Sequence, residues 1–103
     1  MITKELIQQG DTLYFPVEAV PTNLEKQTNN VIQEGEATGH AHRLTEGEIF
    51  VEPTTKTKYL RLVNAAEVRH EEHAPVYLPP GDYRIGIIRE KGMFDDLIAP
   101  VVD

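Results

Sequence analysis

The 103-residue sequence predicts an all-β fold, a small barrel or sandwich of short antiparallel strands. Segments rich in Val, Ile, Leu, Thr and Tyr recur at short intervals, and each is closed by a turn signal containing Gly, Pro or Asn. No amphipathic segment of helical length separates them, which argues against alternating βαβ units. The length fits one core, since a chain of this size can bury roughly two-thirds of its unfolded surface. Residues 1–103 are therefore read as a single β domain, with 1–10 an N-terminal arm or short helix and 93–103 a C-terminal tail.

Thr3 is a plausible N-cap, but Gly10-Asp11 would end any helix within two turns, so an extended arm is the alternative. Thr12 to Val17 is dense in β-formers and follows that Gly-Asp turn, making it the first strand, with Pro16 placing it at an edge or strand end. The stretch 18–30 is polar, holds Pro21 and Asn29-Asn30, and reads as a loop. Strands are then expected over 31–37, 40–44, 48–52, 58–63, 66–78 and 82–89. Turns fall at Thr38-Gly39, Glu46-Gly47, Pro53-Thr54-Thr55, Asn64-Ala65, Pro79-Pro80-Gly81 and Lys91-Gly92. Leu60, Leu62, Ile85, Ile87 and Ile88 supply core positions, and Tyr83, Ile85 and Ile87 share a face by the strand period of two. Residues 93–100 fit a helical turn or an extended strip.

Seventeen acidic residues against ten Lys and Arg leave a net charge of −7, which repels a phosphate backbone and disfavours nucleic acid as a partner. The same charge weakens binding to anionic membrane surfaces, and no apolar run approaches the roughly 20 residues needed to span a bilayer. The first twenty residues lack the apolar h-region of a secretory signal, so a cytoplasmic location is expected. The chain contains neither serine nor cysteine, which excludes a serine nucleophile, a thiol nucleophile and thiolate zinc sites.

What remains is histidine. All four fall in two tight pairs, His40-Ala41-His42 and His70-Glu71-Glu72-His73. Neutral imidazole binds borderline divalent metals, so two such pairs raise a metal site above background. On a strand, His40 and His42 point to one face and form a ready chelate, and Glu46 could return to them if the Glu46-Gly47 turn bends the chain. Residues three apart on a regular strand face opposite sides, so His70 and His73 can share an ion only if Glu71-Glu72 forms a bulge or turn. Without one, His70 pairs with Glu72 on one face. The candidate ligands are thus His40, His42, His70, His73, Glu46 and Glu72, an N/O set suited to zinc, iron or manganese. Glu46, Glu71 or Glu72 could serve as a base beside a metal-bound water, although paired glutamates are more often a solvated face. The plain alternative is that the histidines hydrogen-bond carboxylates such as Glu36, Glu71 and Glu72. A metal-free homo-oligomer, with the His and Glu residues at a subunit interface, is the competing reading of the role. Neither reading names a small-molecule ligand.

Gly39-His40-Ala41-His42 followed by Glu46 resembles the first motif of the cupins. That resemblance implies a small β-barrel in which His40, His42, Glu46 and a later histidine, His70 or His73, bind a metal. The second cupin motif, Pro-x-Gly then His, is not matched, because Pro79-Pro80-Gly81 is followed by Asp82-Tyr83-Arg84. A longer resemblance is to a group of small, uncharacterised bacterial and phage proteins. They share Gln-Gly-Asp, Gly-Glu-x-Thr-Gly-His-x-His-Arg, His-Glu-Glu-His-x-Pro and Leu-Pro-Pro-Gly-x-Tyr-Arg. The corresponding residues here begin at Gln9, Gly35, His70 and Leu78, in that order. This resemblance implies that the two histidine motifs belong together and implies no activity.

Overall fold

The structure, a computed structural model, describes residues 6–34 and 39–88. Among them are ten strands and no helix: β1 (Ile7–Gln9), β2 (Thr12–Val17), β3 (Glu25–Lys26), β4 (Val31–Glu34), β5 (Ala41–Leu44), β6 (Glu48–Val51), β7 (Lys58–Leu62), β8 (Ala66–Arg69), β9 (Val76–Leu78) and β10 (Gly81–Ile87). They form two antiparallel sheets, one ordered β1-β2-β10-β7-β6-β3 and the other β4-β5-β8-β9. Of the two predicted architectures, this is the sandwich.

Alternation builds the core. Tyr83 and Ile85 on β10 and Leu60 and Leu62 on β7 point inward at the expected period of two, while Ile87 is only half-buried. Cross-strand registry aligns Ile7, Tyr14 and Ile85 in one row and Ile49, Leu60 and Tyr83 in another. Against these the smaller sheet sets Ile32, Leu44, Ala66, Val68 and Leu78. Ile32 reaches this layer because β4 bulges: Val31 and Gln33 face the consecutive residues Arg43 and His42. Pro16 lies near the end of β2 and pairs with Tyr83 on β10, and among the described residues the pairing of β1 with β2 begins at Ile7 and Tyr14.

Two expectations are corrected. The stretch 18–30 contains β3, whose two exposed residues pair with Phe50 and Val51 of β6. The expected strand 66–78 is instead a hairpin in which Ala66, Glu67 and Val68 of β8 face Leu78, Tyr77 and Val76 of β9. Pro75 has no amide to donate to a ladder, and the chain bends over residues 71–73. Of the N-terminal segment, Ile7–Gln9 is extended and paired, and Thr3 lies outside the described residues, as do 35–37 and 93–103.

Candidate metal centre

The bend at 71–73 decides the site. β8 ends at Arg69, and the turn after it brings His70 and His73 to the same side, with ring centroids 4.6 Å apart. His70 is the hub of the group. Its centroid also lies 4.5 Å from that of His42 and 5.7 Å from that of His40. The His73 ring lies nearly parallel to that of His42, at 6.1 Å and 11°. His40 and His42 thus meet through His70.

His42 sits on β5 one position-pair from the core residue Leu44, on the same face, and is only 3% exposed. Its Nδ1 is 2.7 Å from Oε1 of Gln9, at the end of β1 in the opposite sheet. Gln9 Nε2 donates to the Val68 carbonyl at 2.8 Å and the Ala74 carbonyl at 2.9 Å, so one buried amide ties the two sheets together beside the histidines. His42 Nε2 faces Asp11, with Oδ1 at 3.8 Å. Burial pushes the His42 pKa down to about 4, the neighbouring His70 adds to this, and Asp11 opposes it. His42 is therefore neutral at physiological pH, which is the form that ligates metals.

Glu71 clamps the bend to β5. Its Oε1 accepts from the Ala41 amide at 2.9 Å and its Oε2 from Arg43 Nη1 at 2.6 Å. The Ala41 amide and then the Arg43 guanidinium hold its carboxyl well below the usual range, down to about 2. Next to it, the Glu72 amide donates to His70 Nδ1 at 3.0 Å, so neutral His70 carries its proton on Nε2. The Glu72 carboxylate reaches within 3.6 Å of His40 Nδ1. One donor atom each from His40, His70 and Glu71 lies within 4.8 Å of the others, close enough for the three to hold a metal ion.

Gly10-Asp11 forms the two-residue turn of the β1–β2 hairpin, and Gly10, at φ +58°, takes the first central position of a type II′ turn. It also leaves room for a ligand candidate. A Cβ on Gly10 would lie 2.6 Å from Nε2 of His73. Of the residues expected from sequence, the structure gathers His40, His42, His70, His73 and Glu72. Glu46 is elsewhere: beyond the far end of β5 its Oε2 accepts from Asn64 Nδ2 at 2.9 Å. Gln9, Asp11 and Glu71 line the site without having been picked out as ligands. The Gln-Gly-Asp signal was legible as a turn, and its second role emerges only when the sheets pack.

Residues 8–88 match a family described as a domain of unknown function, DUF8820. The chain belongs to that family. No curated protein and no solved structure matches the chain. The DUF8820 match takes in both histidine pairs, Glu71 and the Gln9-Gly10-Asp11 turn.

Proposed function

We propose that this DUF8820 domain binds one divalent transition metal at the end of its four-stranded sheet, through His40, His42 and His70 with Glu71 as the carboxylate. The observation that carries the reading is the convergence of the other three histidine rings on His70, together with the close donor atoms of His40, His70 and Glu71. An imidazole-rich set with one hard oxygen suits zinc, iron or manganese, and the absence of thiolate argues against softer metals. His73 and Glu72 flank this set from the 71–73 bend, and Asp11 does so from the β1–β2 turn. A metal held there would join β5 to the β8–β9 connection and brace the sandwich at this end, as metals do in other small domains. His70 joins the set only when the Glu72 amide leaves Nδ1, which either opens Nδ1 to the ion or lets it take the proton from Nε2.

The test is elemental analysis of untagged protein, comparing wild type with His40→Ala/His70→Ala and with Glu46→Gln. Wild type and Glu46→Gln are expected to carry about one equivalent of one transition metal, and the double variant less than about a tenth. Equal, trace metal in all three would sink the proposal and leave the histidines as hydrogen-bonding groups of the sheet edges.

A further inference from the structure

The hydrogen bonds around Gln9 determine how His42 can be used. Gln9 Nε2 has carbonyl oxygens at 2.8 and 2.9 Å, from Val68 and Ala74. Both are acceptors only, so the atom facing them must be the amide NH2 with both hydrogens engaged. The other end of the amide, Oε1, is then an acceptor, and it stands 2.7 Å from His42 Nδ1. Two acceptors cannot share a hydrogen bond. Neutral His42 must therefore carry its proton on Nδ1, leaving a bare lone pair on Nε2, the nitrogen that faces Asp11.

We infer that Gln9 is a positioning residue that locks His42 in the Nδ1–H tautomer and so commits Nε2 to the metal. The inference rests on the metal reading above and adds a residue from the other sheet to it. Gln9 itself is only 3% exposed, and its three hydrogen bonds leave the amide one orientation. Without it, the Gln9 oxygen no longer holds the imidazole proton on Nδ1. Partners of this kind, which hold a ligating imidazole by its second nitrogen, typically contribute 10–100-fold to metal affinity (order of magnitude). Gln9 also provides specificity of form: an amide oxygen opposite Nδ1 accepts from the neutral ring without adding charge.

Two variants separate positioning from packing. Gln9→Leu removes both the acceptor for His42 and the donors to Val68 and Ala74. Gln9→Glu removes those donors but keeps an oxygen opposite Nδ1. Long-range 1H–15N spectra of the histidine rings are recorded on metal-free protein near pH 8, and zinc affinity is measured by competition with a chromogenic chelator. Wild type is expected to show His42 protonated at Nδ1 and bare at Nε2. Gln9→Leu should lose that single-tautomer signature and bind zinc about 10–100-fold more weakly. Gln9→Glu should lose stability as Gln9→Leu does, yet keep the Nδ1–H signature and not weaken zinc binding. A wild-type His42 protonated at Nε2, or equal zinc affinity in wild type and Gln9→Leu, overturns the inference. So does a Gln9→Glu variant that weakens zinc as much as Gln9→Leu. Because the spectra need no metal, a wild-type protein that shows the Nδ1–H tautomer but takes up no zinc identifies the failure as that of the metal reading, and removes the role of Gln9 in affinity with it.

Discussion

At the Ala41 end of β5, hydrogen bonds set the structure: Ala41 N to Glu71, Arg43 to Glu71, and His42 to Gln9. At the Leu44 end, core packing joins the backbone hydrogen bonds of Leu44 to Asn30 and of Thr45 to Glu67. Gly47 turns there at φ +116°, and a Cβ would collide with Leu62 and lie 3.3 Å from the Arg61 carbonyl. Leu44 and Leu62 at this end both belong to the core cluster. The first end orients the His42 ring and the Glu71 carboxylate, and the second joins the core cluster. One four-residue strand thus has the candidate metal centre at one end and a core-packed turn at the other, and substitutions at its two ends should affect different measurements.

The largest effect is expected at the packed end. Gly47→Val forces a β-branched residue into a glycine-only conformation and into Leu62, at a cost of about 4 kcal/mol in a denaturant titration. The fraction that remains folded should still bind zinc at one equivalent, and zinc loss in folded Gly47→Val would break the separation. At the histidine end the expected lever is pH. His42 is held neutral in the fold, with its pKa lowered from 6.5 to about 4, so the unfolded chain takes up a proton that the folded chain refuses. Stability contributed this way is full above about pH 6.5 and is lost as pH falls toward 4. In metal-free protein this amounts to about 3 kcal/mol as an order of magnitude, and His42→Gln should flatten that part of the curve. Glu71, lowered to about 2, adds a further loss below about pH 4.5. An unchanged slope in His42→Gln would assign the effect to other groups. The smallest effect is expected where the two concerns overlap. Gly10→Ala meets a left-handed φ of +58° and the ring of exposed His73, costing about 1 kcal/mol and weakening zinc binding a few-fold. Zinc affinity equal to wild type in Gly10→Ala would place His73 outside the site.

Most of the sandwich was legible because its signals are local. The strand Thr12–Val17 was expected at its observed bounds, and β5, β6, β7 and β10 differ from expectation only at their ends. The β8–β9 hairpin was not, since residues 70–74 contain no Gly or Asn turn signal and the bend is held from outside by Ala41 and Arg43 acting on Glu71. β3 escaped for a related reason: Glu25 and Lys26 are exposed and polar, and only their register with β6 makes them a strand. The histidine spacing pointed to a shared site and identified Glu71-Glu72 as the place where the strand had to break. It could not reveal Gln9, which lies 33 residues from His42 in sequence and meets it only across the sheets. Nor could it exclude Glu46, whose direction depends on how the Gly47 turn packs.

The amide of Glu72 gives the metal-free site a chemical lock. While that N–H occupies His70 Nδ1, the ring proton resides on Nε2, so His70 offers an incoming cation no free lone pair on either nitrogen. Loading therefore requires an exchange: either the proton leaves Nε2 for Nδ1 as the amide contact breaks, or the cation displaces the amide directly. In both cases the 71–73 bend gives up a hydrogen bond as the ion arrives. Under the proposed metal reading, the hub of the cluster is also its latch, because the Glu72 amide contact with His70 has to be given up before this ring can bind an ion.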